Sequence, residues 1–279
     1  MSIVLAGNNY GKSRVRVVKV SRREDRHDLA ELVVGVQFEG AFDAVHTAGD
    51  NSAVLPTDTM KNTVNALAKA WSGEQIEEFG CQLARHFLAD NPQVSRVRIE
   101  IGQSQWIRMD RYAFTRGSEE KRTAEVVGVR GGLEVHAGIE NLIVLKTTGS
   151  AFEGYKKDRY TTLKETSDRI FATALTATWT YRSADVAFGP CWQQARDAIL
   201  KTFVERESPS VQHTAYAMGE AVLRAVPDII EIRLTLPNKH CLLVDLAPFG
   251  LENPNEIFVP TDEPHGLIEV QIRHSEPRQ

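Results

Sequence analysis

One pattern occurs twice along this chain of 279 residues and limits the folds that it can adopt. Residues 91–101 and 226–236 each contain a proline that ends a predicted helix, followed by apolar residues alternating with polar ones. Such alternation predicts a strand with one buried face. Around each segment the sequence predicts two strands, two helices and two strands in the same order. We therefore infer an internal duplication and predict two repeats, residues 1–140 and 141–279.

Each predicted repeat is a four-stranded antiparallel sheet with two helices on one face, which places the chain in the α+β class. A sheet of four strands leaves backbone N–H and C=O groups unpaired along its edges. We therefore expect the edge strands to pair with another subunit. Among the helices, one is expected to be capped by Thr57 and Asp58, and another by Ser210.

The charge balance argues against a nucleic-acid partner. The formal net charge is -4, whereas sequence-independent binding to phosphates needs a basic surface. No apolar run approaches the length that crosses a membrane. The N-terminal segment is too short and uncharged for a signal peptide, and the C-terminal tripeptide, residues 277–279, is not of the peroxisomal Ser-Lys-Leu kind. A cytoplasmic protein without membrane contact is therefore expected.

The sequence contains none of the common signatures of a cofactor or metal site. There is no GxGxxG, Walker A, HExxH or GxSxG segment, and no two histidines are four residues apart. Cys81, Cys191 and Cys241 are far apart and form no CxxC pair, which favours free thiols over a zinc cluster or disulfides. We expect neither a cofactor nor a metal.

Several polar residues interrupt stretches whose composition otherwise predicts a core. Each alone has an ordinary explanation, such as a solvated lysine, a helix cap, a surface arginine or a structural histidine. Only their combination suggests a site. The residues concerned are Lys12, Thr57, Asp58, Arg169, Gln212, Asn238 and His240.

Together with their neighbours, these residues resemble the urate oxidase (uricase) family over nearly the whole chain. So many matches in the right order are specific, whereas a lone Tyr-Gly-Lys is not. Pro56 and Cys241 depart from the family pattern, which has alanine and a histidine or aromatic residue more often there. The segments that carry the resemblance are Tyr10–Lys12, Val15–Val20, Gly49–Asn51, Thr57–Thr63, Val144–Thr148, Asp158–Thr166, Ser210–Gln212, Leu236–His240, Asn253–Glu256 and Gly266–Glu269.

The resemblance implies a tunnelling fold, in which subunits join their sheets edge to edge into barrels. Two stacked barrels form a homotetramer with a central tunnel. Active sites then lie at subunit interfaces, so that Thr57 and Asp58 come from the neighbour of the chain that supplies Arg169 and Gln212. The implied reaction is oxidation of urate by O2 and water to 5-hydroxyisourate and hydrogen peroxide, without a cofactor.

For urate binding, the resemblance implies that Arg169 and Gln212 hold opposite edges of the purine while Phe152 stacks on its face. The backbone of Asp58 and of Val211 also faces the substrate. Further lining positions match Val54 and Leu163.

For catalysis, the resemblance implies that Lys12, hydrogen-bonded to Thr57, removes a proton from urate. The lysine must then be able to lose its own proton. His240 relays protons through water. Asn238 and Thr57 hold oxygen, then peroxide, and then the water that adds to the ring.

Two alternatives remain open. One is a pterin- or purine-processing enzyme of the same fold, in which histidine and cysteine hold a metal, although the histidines here are scattered. The other is a purine-binding protein that has lost activity, against which the complete set of Lys12, Thr57, Asn238 and His240 argues.

Overall fold

A computed structural model describes residues 2–275, so the C-terminal tripeptide considered above lies outside the described residues. Residues 2–275 form eight strands, and the main helices fall between the second and third and between the sixth and seventh. This repeated order confirms the α+β prediction. The elements are β1 (Tyr10–Arg22), β2 (His27–Gly40), α1 (Asp43–Ala48), α2 (Thr57–Ala70), α3 (Ile76–Asp90), β3 (Val94–Arg108), β4 (Phe114–Val129), β5 (Gly132–Lys146), β6 (Phe171–Tyr181), α4 (Phe188–Glu205), α5 (Val211–Ala225), β7 (Ile229–Leu243), a 3-10 turn (Ala247–Phe249) and β8 (Phe258–Arg273).

The chain groups into two compact units. Unit 1 runs to Ile139 and includes Trp179–Trp192, whereas unit 2 consists of Glu140–Thr178 and the chain from Gln193 onward. The segment from Leu142 to Lys146 does not form a strand of its own but is the end of β5. The division of the repeats at residues 140 and 141 lies within β5 and stays a prediction.

Unit 1 contains an antiparallel sheet whose inner face is covered by α2 and α3. Every second residue points inward, so that Val34 of β2 pairs with Ile101 of β3, and Ile101 with Ala124 of β4. The helices bury apolar residues spaced by three or four positions, such as Met60 and Val64 of α2. This packing fixes the ends of β1 and α2, where the predicted site residues of unit 1 lie.

Unit 2 contains the antiparallel pair β7 and β8, against which α5 packs. Ile232, Leu234 and Leu236 point into its core. As predicted, Ser210 is the N-cap of α5, and its hydroxyl accepts a hydrogen bond of 3.1 Å from the amide of His213. The first residues of α5 are therefore fixed at the surface of unit 2.

The prediction that Thr57 and Asp58 cap α2 is wrong. The helix begins at Thr57, its N-cap residue is Pro56, and no side chain caps it. Proline supplies a suitable backbone angle but no side-chain acceptor. Within residues 2–275, no helix is long and apolar enough to span a membrane.

Candidate active site

In unit 1, Lys12 lies next to a β-bulge near the start of β1. Lys12 pairs with Val36 of β2, and the next pair joins Val15 to Val34, so two residues of β1 stand opposite one of β2. Arg14, inside the bulge, has a φ of 58°, in the left-handed region that non-glycine residues rarely adopt. Bulges bend a strand and change the direction of nearby side chains. The half-buried Lys12 side chain therefore lies where the regular strand pairing is interrupted.

Gly11 and Tyr10 explain why a Tyr-Gly-Lys sequence suits this place. A Cβ atom at Gly11 would overlap the carbonyl oxygen of Val36, so only glycine permits the close approach of β1 to β2. The Tyr10 ring packs edge-on against Phe42, with centroids 4.8 Å apart. Its hydroxyl accepts a hydrogen bond of 3.0 Å from the amide of Leu55, two residues before Thr57. Tyr10 thus joins the start of β1 to the segment that leads into α2.

Thr57 and Asp58 occupy the first turn of α2. The Asp58 carboxylate accepts hydrogen bonds from the Lys61 ammonium and, at 3.1 Å, from the Asn62 amide. These contacts, chiefly the one with Lys61, hold the pKa of Asp58 below its usual range, and the charge of Lys12 lowers it further. The half-buried Thr57 hydroxyl has no hydrogen-bond partner among residues 2–275. Its pairing with Lys12 is expected only between assembled subunits and stays a prediction.

In unit 2, Arg169 and Phe152 lie together. The guanidinium carbon of Arg169 is 5.2 Å from the centroid of the Phe152 ring, and Tyr155 stacks on that ring with centroids 4.8 Å apart. Burial lowers the pKa of Arg169, and its buried Nε has no hydrogen-bond partner within the described chain. Burying a charged group is unfavourable unless a partner compensates. This guanidinium is therefore suited to an anionic ligand.

The start of α5 lies beside the same loop. Val211 is buried and Gln212 exposed in the first turn of the helix. The Arg169 amide donates to the carbonyl of Ser150 at 2.8 Å, and the Ala151 amide donates to the carbonyl of Ser208 at 2.8 Å. Backbone hydrogen bonds therefore link the segments that carry Phe152, Arg169 and Gln212.

Asn238 and His240 lie on β7 at a second irregularity of strand pairing. Asn238 pairs with Gly266 of β8 and His240 with Thr261, so residues 262–265 stand opposite Lys239 alone. The Lys239 ammonium lies 2.6 Å from the Asp262 carboxylate in this widened segment. Both Asn238 and His240 are half-buried. Asn238 and His240 thus lie on either side of this irregularity, two positions apart on β7.

Of the two further lining residues expected from the sequence, Val54 is half-buried in unit 1, and Leu163 is exposed in unit 2. The Leu163 carbonyl accepts a hydrogen bond of 2.6 Å from the Tyr155 hydroxyl. Val54 directly precedes Leu55, the partner of Tyr10. Val54 thus lies beside the hydrogen bond between Leu55 and Tyr10, and Leu163 itself accepts the hydrogen bond from Tyr155.

The sequence analysis gave no role to Tyr10, although Tyr10 belongs to the Tyr-Gly-Lys segment, and it did not single out Asp168. The Asp168 carboxylate accepts hydrogen bonds of 2.8 Å each from the Thr148 hydroxyl and the Gly149 amide. The only sequence signal for Asp168 was its place directly before Arg169 in a loop. Aspartate side chains in loops commonly accept hydrogen bonds from nearby backbone amides. Among residues 2–275, no three His, Cys, Asp or Glu side chains are grouped as metal ligands would be.

A family model described as uricase matches residues 8–127 and 135–269. The chain belongs to the uricase family. Uricase of Arthrobacter globiformis is 46% identical over 97% of this chain and 90% of its own length. Uricase of Dictyostelium discoideum is 37% identical over 98% of this chain and 99% of its own length. The resemblance inferred from the sequence is thereby confirmed.

Solved structures of the family share the fold. The crystal structure of uricase from Arthrobacter globiformis matches with a TM-score of 0.96 at 45% identity, covering 100% of this chain and 98% of that one. Urate oxidase from Bacillus sp. TB-90 matches with a TM-score of 0.84 at 24% identity, covering 96% of this chain and 100% of that one. The second match concerns the fold alone. The tunnelling-fold prediction is confirmed at the level of the chain, whereas the assembly and the residue roles stay predictions.

Proposed function

We propose that this protein oxidises urate with O2 and water to 5-hydroxyisourate and hydrogen peroxide, without a metal or an organic cofactor. The observation that carries the proposal is the half-buried guanidinium of Arg169 beside the Phe152 ring, which has no acidic partner in the described chain. Urate is a flat anion, so it would provide both the missing charge and a ring to stack. Membership of the uricase family supports the same substrate.

Arg169, Gln212 and Phe152 would bind the substrate. A guanidinium can donate two parallel hydrogen bonds to a carbonyl and a neighbouring ring nitrogen, which suits one edge of the purine. The Gln212 amide can donate and accept at the opposite edge. The Phe152 ring would pack against the purine face, and the backbone of Asp58 and Val211 would complete the contacts.

Lys12, Thr57 and His240 would carry out the chemistry. Lys12, acting with Thr57, takes a proton from urate, which makes the ring a better electron donor. Two electrons then pass from urate to O2 through a peroxo adduct, and hydrogen peroxide leaves. Water adds at the same carbon to give 5-hydroxyisourate. His240 relays the protons through water, while Asn238 and Thr57 hold oxygen, peroxide and water in turn.

The active sites would lie between subunits of a homotetramer. Lys12, Thr57 and Asp58 belong to unit 1, and the residues that would bind the purine edges belong to unit 2. We propose that Thr57 and Asp58 of one subunit complete a site with Arg169 and Gln212 of its neighbour, so that Lys12 and Thr57 act together only when subunits assemble. A chain that sediments as a monomer at concentrations giving full activity would contradict this arrangement. The cytoplasmic location stays a prediction from the sequence.

Urate turnover by metal-free protein tests the proposal. Protein treated with a chelator is mixed with urate in air, and urate absorbance, oxygen uptake and peroxide release are followed together. We expect urate loss to match oxygen uptake and peroxide release mole for mole, with no gain when metals are added. Tight urate binding without turnover would favour the inactive binding protein. Activity on a pterin alone, restored by metal, would favour the metal-dependent enzyme.

A further inference from the structure

We infer that Asp168 is a positioning residue, which fixes the loop that presents Phe152 and Arg169 to the purine. The inference rests on the proposed function, since it concerns the same site. The Asp168 carboxylate links its own segment of the loop to the segment at Thr148 and Gly149, which lies about twenty residues earlier in the sequence. It accepts hydrogen bonds of 2.8 Å from the Thr148 hydroxyl on one oxygen and from the Gly149 amide on the other. Both contacts lower the pKa of Asp168, so the carboxylate stays charged at neutral pH.

These two contacts hold the backbone on which the binding residues depend. Because Gly149 is fixed, the next residue, Ser150, can accept the Arg169 amide at 2.8 Å. Two residues later, Phe152 exchanges backbone hydrogen bonds with Thr166, of 2.8 and 3.2 Å. Gly149 itself has a φ of 72°, a left-handed conformation that favours glycine. We call the segments 148–152 and 166–169 together the clasp.

The clasp also reaches the start of α5. The Ser208 amide donates to the Gly149 carbonyl at 2.9 Å, and the Ser208 carbonyl accepts from Ala151 at 2.8 Å. The Thr214 hydroxyl donates to the Ser208 hydroxyl at 2.7 Å, so the first turn of α5 is tied to the same point. Displacing Gly149 would therefore disturb Gln212 as well as Phe152 and Arg169.

The direction of the Asp168 carboxylate also decides whether Asp168 neutralises the charge of Arg169. An aspartate directly before an arginine can form an ion pair with it and neutralise its charge. Here the carboxylate faces Thr148 and Gly149, and burial alone shifts the pKa of Arg169. Asp168 thus fixes the arginine backbone and leaves the guanidinium charge for a ligand.

The inference can be tested with four substitutions in the full chain. Asp168→Ala removes both contacts of the carboxylate, and Thr148→Val removes one of them. Asp168→Asn keeps a side chain able to accept from Gly149 and to donate to the Thr148 oxygen. Asp158→Ala is the matched control, because Asp158 accepts from the Tyr160 amide at 2.9 Å and the Thr161 hydroxyl at 3.0 Å in the same loop.

Urate binding without oxygen is measured first, by equilibrium dialysis, and the steady-state rate in air second. We expect Asp168→Ala to weaken urate binding about tenfold and to raise KM similarly, with a much smaller change in kcat. Thr148→Val should change binding in the same direction but less. Asp168→Asn should restore most of the affinity, and Asp158→Ala should bind urate as the unmodified protein does.

An unchanged urate affinity in Asp168→Ala would overturn the inference, as would an equal loss in Asp158→Ala. If Asp168→Ala fails to fold, the comparison of Thr148→Val with Asp168→Asn still tests the inference. Thr148→Val should weaken urate binding more than Asp168→Asn does. Unmodified protein that binds urate but does not oxidise it contradicts the proposed function and leaves the Asp168 comparison intact. Unmodified protein that does not bind urate overturns both.

Discussion

The predicted site residues of the two units are held in different ways. In unit 1, Lys12 lies on a strand and Thr57 on a helix, and the Thr57 hydroxyl has no hydrogen-bond partner in the described part of the chain. In unit 2, Phe152 and Arg169 lie on a loop without regular secondary structure, and their backbone amides donate to Thr166 and Ser150. Lys12 and Thr57, proposed for proton transfer, thus stand on regular elements, whereas Phe152 and Arg169, proposed for purine binding, stand on a loop.

This difference has a physical reason. A loop cannot satisfy its backbone groups by helix or sheet formation, so it needs specific side-chain and backbone contacts to keep one shape. A strand or helix supplies that order itself, and a bulge next to Lys12 then changes the direction of one side chain. We therefore expect substitutions of Lys12 and its supports in unit 1 to lower kcat, and substitutions of Arg169 and its loop in unit 2 to raise KM. The four predictions below test this separation.

The largest expected effect is loss of the proposed base. Lys12→Ala should lower kcat by about 10²–10⁴-fold, the usual contribution of a general base, with little change in urate KM. Lys12→Arg keeps the positive charge but cannot release a proton near neutral pH, so it should be almost as inactive. Steady-state rates of peroxide release measure both. Arg16→Ala, an exposed change on the same strand, is the control. Full activity in Lys12→Arg would show that Lys12 acts only through its charge.

The second effect concerns the arginine of unit 2. Arg169→Ala removes two charge-assisted hydrogen bonds, so the urate KM should rise roughly 100-fold, while kcat at saturation falls much less. Arg169→Lys should recover little, because an ammonium cannot form the planar two-bond contact. The control is Arg159→Ala, because Arg159 is exposed in the same loop and packs on Tyr160. A fall in kcat without a rise in KM would remove the distinction between the two units.

Much of this architecture was predictable from the sequence, because it depends on periodicity. Alternating residues indicated the strand at Ile230–Leu236, and Ser210 marked the start of α5 correctly, since its hydroxyl accepts from the amide of His213. The cap at Thr57 was wrong because Asp58 is bound by Lys61 and Asn62, and a sequence does not say which donor an aspartate selects.

The irregular features were not predictable in the same way. The bulge beside Lys12 and the widened pairing opposite Lys239 depend on how two strands align, which periodicity within one strand does not determine. The contacts of Asp168 join segments about twenty residues apart, and no local pattern encodes such a pairing. The proposed site residues were predicted through family resemblance, whereas the residues inferred to position them required the structure.

The third prediction concerns the close approach of β1 and β2. Gly11→Ala places a methyl group on the Val36 carbonyl oxygen, so β1 must shift. We expect a loss of about 1–3 kcal/mol in the free energy of unfolding, together with a lower kcat, because Lys12 moves with the strand. Urea unfolding and steady-state kinetics measure the two effects. Gly7→Ala is the control, since an added methyl group meets no atom there. A stable, fully active Gly11→Ala protein would contradict the role assigned to this contact.

The smallest expected effect comes from substitution of Tyr10. Its effect on the unfolding free energy can be measured separately from its effect on kcat. Tyr10→Phe keeps the ring against Phe42 but removes the acceptor for the Leu55 amide, which should cost about 0.5–1.5 kcal/mol of unfolding free energy. Because Leu55 leads directly into Thr57, we expect kcat to fall by a few-fold and the urate KM to stay constant. Tyr112→Phe, an exposed tyrosine of unit 1, is the control and should leave both values unchanged. A rise in KM for Tyr10→Phe would mean that unit 1 also positions the purine, and the separation between proton transfer and binding would then fail.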